Sequence, residues 1–265
     1  RAEFLKISSA SIGGILLLPH HSCSGTLNKK LTINGISNYQ IVIPNNPSKI
    51  EKEASNQLKE HLLLLSSKAP KIINETEYVG RNGIFIGKTK YVNNNNIDTN
   101  TLEEDGFMFK NSGDDFFIQG GSEKGLLFGV YSLLESFGFR KYAADDPLDI
   151  PSTINLELPN DVIKVPKINY RTTNYYEGRD SEYADWNKLS SSDSWGLFVH
   201  TFEVLVPPEK YGESNPEYYS LINGERNVVT QLCLTNQDMF DVLVKDLRKR
   251  INENPKAKYW SVSQN

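Results

Sequence analysis

Residues 105–142 read DGFMFKNSGDDFFIQGGSEKGLLFGVYSLLESFGFRKY, and the rest of the chain is organised around this stretch. Phe107 and Phe109 alternate with polar residues before the turn residues 111–114, Asn-Ser-Gly-Asp, and a second short apolar run, residues 116–119, follows them, which predicts a β-hairpin. Ser122 stands just before a segment with a wide apolar face, so we expect it to cap a helix. Gly138 occupies the position where helices favour a left-handed C-terminal residue. The stretch therefore predicts strand, turn, strand and helix.

The glycine spacing after this hairpin resembles the small N-terminal domain of alpha-glucuronidases and of family 20 beta-hexosaminidases. The residues that carry the resemblance are Gly121, Gly125, Gly129, Leu133, Leu134, Glu135, Gly138, Arg140 and Tyr142. Phe137 departs from the pattern, since these families usually have leucine there. The resemblance implies an α/β accessory domain that precedes a catalytic barrel. The recognised stretch is therefore expected to lie outside the part that performs the chemistry.

Length and composition narrow the classes of protein. A chain of 265 residues suggests one large domain or two ordinary ones, and its 3 Trp, 13 Tyr and 12 Phe suffice for a real core. The net charge of -4 provides no basic footprint for nucleic acid. Two cysteines are too few for a disulfide framework. The acidic residues and histidines show no ligand spacing, so no metal or other cofactor is expected.

Residues 1–25 resemble an export signal, with positive charge before a small-residue and aliphatic segment. Cys23 just after that segment resembles the lipidation site of a bacterial lipoprotein, although His20 and His21 stand where small residues are usual. We expect a protein of the periplasm or outer membrane, anchored through lipid at Cys23. The alternatives are a short buried helix and a twin-arginine signal with one arginine replaced.

Residues 26–160 are predicted to form the accessory domain, an α/β sandwich in which a sheet carries helices on one side. Ser48 and Glu51 form an S-x-x-E capping box at the start of a helix. Besides the hairpin, strands are expected at residues 39–43, 71–75 and 83–87. Residues 91–100 contain four consecutive asparagines and are expected to form an exposed loop.

Residues 161–265 have the strand, loop, helix, strand order of a parallel β/α barrel. Strands are expected at residues 168–172, 195–204, 231–235 and 259–263. Thr235 and Asp238 are expected to cap a helix with Phe240, Leu243, Leu247 and Ile251 on one face. A whole barrel needs about 250 residues. We therefore predict an incomplete (β/α) barrel with about three of the eight strands.

Three motifs in this second part also resemble a bacterial family that joins an alpha-glucuronidase-like domain to a barrel. They are His-Thr-Phe at residues 200–202, Pro-Glu-Tyr-Tyr at 216–219 and Gln-Leu-Cys-Leu-Thr-Asn at 231–236. The motifs are specific for the family and carry no information about the substrate. Cys233 in the last motif is expected to be a small buried residue, because no base stands next to it.

Candidate binding residues follow from the rule that barrel enzymes place their sites at the carboxyl ends of the strands. That rule selects Arg171, His200, Thr201, Glu203 and Asn265 as predicted substrate contacts. Side chains of this kind hold neutral sugars, and aromatic rings can lie beneath the sugar. The tyrosines proposed for that stacking are Tyr175, Tyr176, Tyr218 and Tyr219.

Each candidate also has a structural interpretation. His200 can equally be a hydrogen-bonded histidine of the core. Arg171 can pair on the surface with Asp180 or Glu177, Glu203 can be a solvated residue, and the tyrosines can serve packing alone. These alternatives stay open at the level of the sequence.

The sequence predicts the N-terminal portion of an exported glycoside hydrolase that acts on a poly- or oligosaccharide. Glycoside hydrolysis normally needs two carboxyl groups at one bond, and no convincing pair occurs in residues 168–265. The catalytic carboxylates are therefore expected outside this sequence. The alternative is a carbohydrate-binding surface lipoprotein without catalytic activity, and a weaker one is a remnant that does not fold alone. Linkage and oligomeric state remain open.

Overall fold

The computed structural model describes residues 29–31, 38–66, 68–152, 156–190 and 194–264. Its first unit is a six-stranded mixed sheet in the order β3-β2-β4-β6-β5-β8. These strands are β2 (Gln40–Ile43), β3 (Lys71–Asn74), β4 (Gly83–Ile86), β5 (Phe107–Ser112), β6 (Asp115–Gly120) and β8 (Val162–Lys164). Strands β3, β2, β4 and β6 are parallel, whereas β5 is antiparallel to both of its neighbours. A separate antiparallel pair joins β1 (Lys29–Leu31) to β7 (Leu156–Leu158).

The predicted α/β class, hairpin and helix starts are confirmed. Helix α1 (Lys49–Leu65) begins with the predicted capping box, in which the Ser48 amide donates to Glu51 at 2.8 Å and the Glu51 amide donates to Ser48 at 3.1 Å. Helix α3 (Glu123–Ser136) begins after Ser122, whose hydroxyl accepts from the Gly125 amide. Gly138 follows that helix with a φ of +105°, a conformation that glycine adopts without steric cost.

Helices α1 and α3 lie together on one face of the sheet, as predicted. Leu58 and Leu62 of α1 and Val130 of α3 are fully buried against that face. Parallel strands are usually buried on both faces, and Phe85 and Phe117 accordingly point into a second cluster on the opposite side. The sheet is thus the middle layer of the first unit.

The segment expected to be an exposed loop covers this second face. Residues 91–100 were predicted as loop, but α2 (Lys90–Asn94) occupies part of them. Val92 and Ile97 are buried against the sheet. The prediction was wrong because it gave weight to the asparagine run and none to Val92 and Ile97, which flank that run and pack on the sheet.

Glu51 lies at the crevice between two neighbouring parallel strands. The chain leaves β2 through α1 on one face and leaves β4 through α2 on the other. The Glu51 carboxylate lies between the two strand ends and accepts from the amides of Ser48 and Lys88, at 2.8 and 2.9 Å. Gly87, with φ of +84°, has no room for a Cβ because this carboxylate lies against it. Glu51 therefore fastens α1 to the end of β4.

The second unit comprises the described residues from 168 onward. The predicted domain boundary was at residue 160, and β8, just after it, still pairs with β5 of the first sheet. Its α-helices are α4 (Ser181–Trp186), α5 (Phe202–Leu205), α6 (Pro208–Tyr211) and α7 (Gln237–Glu253). Its strands are β9 (Trp195–Leu197), β10 (Leu221–Ile222), β11 (Glu225–Arg226) and β12 (Tyr259–Trp260). Strands β9 and β12 pair in parallel. Helix α7 lies between them in the chain, so the three elements form one β-α-β arrangement.

Several predicted barrel strands are absent from the described residues. Residues 168–172 form no strand, residues 231–235 contribute only the bridge from Leu232 to Tyr219, and β9 and β12 are shorter than predicted. The expected strand at residues 195–204 gives way to α5, because Phe202 and Leu205 are both buried at helical spacing. Barrel closure is not seen in the described ranges, so the incomplete barrel stays a prediction.

Helix α7 differs from the prediction in its cap and its buried face. Asn236 is the cap, and its side chain accepts from the Met239 amide at 2.9 Å. Met239 and Leu243 face the core, whereas Phe240 and Ile251 are exposed. The helix thus begins one residue later than Thr235 would place it. None of the helices in the described ranges has the length and apolarity that a bilayer crossing requires.

Candidate functional site

The carboxyl ends of β9 and β12 lie side by side and bring together several predicted residues. His200 has a φ of +57°, an uncommon conformation for a non-glycine residue. Its amide donates to the Ser263 hydroxyl at 3.1 Å, and its Nδ1 lies 3.2 Å from the carbonyl oxygen of Gln264. Its side chain is exposed, so the interpretation as a core histidine is wrong.

Thr201 holds the same two chain segments together from the inside. It is 2% exposed. Its hydroxyl donates to the carbonyl of Ser261 at 3.1 Å and accepts from the amide of Ser263 at 3.0 Å. These bonds use the donor and one acceptor position of the hydroxyl, so Thr201 positions its neighbour His200. Glu203 is exposed in the first turn of α5, and Asn265 lies outside the described residues.

Arg171 lies away from these strand ends and connects the two units. Its guanidinium donates to the carboxylate of Asp105 at 2.7 Å, and also to the carbonyl oxygens of Lys188 and Ile168. The charged partner is therefore Asp105 of the first unit, whereas the surface pairing considered from the sequence was with Asp180 or Glu177. Each of the three guanidinium nitrogens of Arg171 therefore donates a hydrogen bond.

Ion pairs of this kind recur along the boundary between the units. Among the described residues, the pairs that cross it are Asp105–Arg171, Glu135–Lys188, Lys124–Asp185 and Glu104–Lys258. Each partly exposed pair stabilises by only about 0–1 kcal/mol. They form polar contacts between the two units. Apolar contact adds to them, because Trp186 of α4 is 1% exposed within the core of the first unit.

A groove of about 800 Å³ lies between the units, and aromatic rings form much of its second-unit wall. Trp195 and Phe198 line it with their ring centroids 5.0 Å apart at an angle of 77°. Tyr170 packs on Trp195, and Tyr175 lies farther along the same wall. Phe198 and Tyr175 are 55% and 56% exposed, so both present ring surface to solvent. We call this cavity the inter-unit groove.

The inter-unit groove is nearly neutral in charge, and its charged side chains come from both units. Its ionisable side chains are Glu123, Lys124, Arg179 and Asp185, two of each sign. The ammonium of Lys124 lies 3.5 Å from a carboxylate oxygen of Asp185. Burial raises the pKa of the Asp185 carboxyl, and the neighbouring Lys124 opposes that shift. Aromatic surface combined with balanced charged groups suits an uncharged, hydroxyl-rich ligand.

The tyrosines proposed for stacking divide into two groups. Tyr218 and Tyr219 are buried in the core of the second unit, and the Tyr219 hydroxyl donates to the Val206 carbonyl, so that prediction was wrong for both. Tyr175 lines the groove. Tyr176 is 76% exposed, with the Arg179 guanidinium 5.5 Å above its ring.

Sequence reasoning missed the groove residues for identifiable reasons. In a continuous strand, Trp195 and Phe198 would face opposite sides, and they meet only because β9 ends at Leu197. Lys124 and Asp185 come from different units, and no local pattern links them. Cys233 is half-buried rather than fully buried, and a hydrogen bond with Thr235 lowers the pKa of its thiol.

Comparison with known families gives a match for each of the two parts of the chain. Residues 27–133 match the family described as the glycosyl hydrolase family 67 N-terminus. The first unit is similar to the family 67 N-terminal domain. Residues 142–265 match a second family, described as a domain of unknown function (DUF4838). The resemblance to an alpha-glucuronidase-like accessory domain is thereby confirmed, and the protein is related to glycoside hydrolases.

Among solved structures, this chain is similar to a GH138 enzyme targeting pectin rhamnogalacturonan II. The identity is 12%, the TM-score is 0.33, and the match covers 85% of this chain and 24% of that chain. The chain therefore spans about a quarter of that enzyme's length. Among curated proteins, none matches it.

Proposed function

We propose that this chain binds an oligosaccharide in the inter-unit groove and serves the hydrolysis of O-glycosyl bonds in an exported glycoside hydrolase. The observation that carries the proposal is the aromatic lining of Tyr175, Trp195 and Phe198, in which the rings of Tyr175 and Phe198 are exposed, beside a balanced set of charged side chains. Rings of this kind cover the C–H face of a pyranose, while polar side chains bind its hydroxyl groups. The relationship to glycoside hydrolases supports carbohydrate as the ligand class.

We assign no catalytic acid or base to the described residues. His200 lies at the carboxyl ends of two parallel strands, where barrel enzymes place substrate. His200 and Glu203 do not line the inter-unit groove, so in this proposal they contact the oligosaccharide outside it, together with the predicted residue Asn265. Thr201 holds His200 in place, and Arg171 holds the wall that contains Tyr170.

Removing an exposed ring from the groove should weaken sugar binding about ten-fold, equivalent to about 1.4 kcal/mol. A glycan array would first identify a bound oligosaccharide, and calorimetric titration would then compare the wild type with Phe198→Ala and Tyr175→Ala. The matched controls are Phe240→Ala and Tyr142→Ala, because both rings are similarly exposed and lie outside the groove lining.

Unchanged affinity in Phe198→Ala and Tyr175→Ala, or equal losses in the two controls, would contradict the proposed site. The activity is tested separately by incubating the natural full-length protein with the bound oligosaccharide and measuring released reducing ends. Binding without release would favour the carbohydrate-binding lipoprotein over the hydrolase.

Export and lipid anchoring at Cys23 are also part of the proposal. They rest on the sequence of residues 1–25, which lie outside the described residues. Cys23→Ser should move the protein from the membrane fraction of a bacterial host to the soluble fraction, and mass spectrometry should find diacylglycerol only on the wild-type cysteine. An equal distribution of both proteins between the fractions would contradict the anchor.

A further inference from the structure

The family 67-like domain contributes side chains to the inter-unit groove. Glu123, Lys124 and Leu127 lie in the first turns of α3 and line the groove directly, and Ile50 of α1 joins them. These residues face Tyr170, Trp195 and other side chains of the second unit. A ligand in this cavity would therefore touch both units.

Lys124 and Asp185 are placed to bind a ligand as well as each other. Their side chains are 28% and 27% exposed, so both reach the groove from partly buried positions. An ammonium has three N–H donors and a carboxylate has about four acceptor positions, whereas the 3.5 Å contact between them uses only one of each. Hydrogen bonds to charged partners are stronger than those between neutral groups.

We infer that the family 67-like domain itself takes part in carbohydrate binding, with Lys124 and Asp185 together holding two vicinal hydroxyl groups of a neutral pyranose. One hydroxyl donates to the carboxylate of Asp185, and its neighbour accepts from the ammonium of Lys124. The aromatic wall covers the ring of the same sugar. This inference rests on the proposed function and adds to it the class of sugar and the two residues that select it.

The competing explanation is that the pair only fastens α3 to α4. The chain offers a matched control for that role. Glu135 and Lys188 also connect α3 to the end of the α4 segment, at 2.5 Å and with similar side-chain exposure, 32% and 21%. They do not line the inter-unit groove. A purely structural role predicts the same consequences for both pairs.

The test uses the whole chain in the variants Lys124→Met, Asp185→Asn, Lys188→Met and Glu135→Gln. Binding is measured by saturation-transfer NMR and titration with the methyl pyranosides of glucose, galactose, mannose and xylose, and with the 2-, 3- and 4-deoxy forms of the best ligand. Urea unfolding monitors the fold of each variant. Phe198→Ala serves as the variant that reports the aromatic wall alone.

We expect Lys124→Met and Asp185→Asn to weaken binding at least ten-fold, with Lys188→Met and Glu135→Gln within two-fold of the wild type. One deoxy sugar should lose affinity for the wild type but not for Lys124→Met, because the missing hydroxyl and the missing ammonium belong to one contact. Binding that depends on Phe198 but is equal in all four charge variants would overturn the inference and leave the proposed function intact. No binding to the wild type would overturn both.

Discussion

Replacing Gly121 with alanine is expected to destabilise the first unit strongly and to move its unfolding to a much lower urea concentration. A Cβ at this position would overlap the carbonyl oxygen of Glu103, and the neighbouring atoms belong to backbone that cannot rotate away. The Gly121 amide also donates to the Gly106 carbonyl at 2.9 Å, so the chain cannot retreat without losing that bond. We expect a loss of about 3 kcal/mol or more, against a total stability of about 5–15 kcal/mol for a typical domain.

Urea unfolding followed by circular dichroism measures this loss, and Gly113→Ala is the matched control. Gly113 has a φ of +58° in the hairpin turn, but its added Cβ would meet open space. Only the cost of a left-handed alanine, about 1–2 kcal/mol, applies there. Similar unfolding midpoints for the two variants would contradict the close approach of the chain at Gly121.

Trp186→Ala should be the most damaging substitution in the second unit, at about 3–5 kcal/mol. The indole is 1% exposed and packs 4.6 Å from the ring of Tyr131 and 5.3 Å from the ring of His61, measured between centroids. Both neighbours belong to helices of the first unit. The loss should therefore release α4 from α3 and open the inter-unit groove, with loss of sugar binding.

Unfolding monitored by circular dichroism, together with the glycan titration, tests this expectation. Trp186→Phe keeps an aromatic ring in the cavity and should lose about half as much stability, with sugar binding retained. Because Trp186 lies in the core of the first unit, the whole unfolding transition of Trp186→Ala should shift to lower urea. A first unit that unfolds at the wild-type urea concentration in Trp186→Ala would contradict a shared core.

Local patterns predicted the first unit well because its signals lie within a few residues of each other. The Ser48 and Glu51 capping box, the hairpin and the Gly138 helix end each depend on neighbours in the chain. The second face of the sheet escaped prediction because Val92 and Ile97 are isolated apolar residues in a polar segment. Their burial depends on the sheet that they cover, which no short window contains.

The second unit was harder to predict because long-range contacts decide it. The hydrogen bonds of Thr201 hold it against residues 261–263, and the segment that follows forms α5, although its apolar residues suit a strand. Arg171 was expected to bind substrate, and its ion pair with Asp105 was missed because the two residues are 66 positions apart in the chain. The same holds for the groove, whose two walls come from segments that meet only after folding.

The carboxylate of Glu51 lies at the place in the family 67-like domain where many α/β sheets bind a free ligand. In open α/β sheets, ligands bind outside the carboxyl ends of the strands where neighbouring connections diverge to opposite faces. Here the protein's own carboxylate occupies that place, held by the Ser48 and Lys88 amides. A tethered group cannot be diluted, so its occupancy is independent of the concentration of any metabolite. The Ser48 and Lys88 amides therefore keep their acceptor under all conditions, and the start of α1 stays joined to the end of β4.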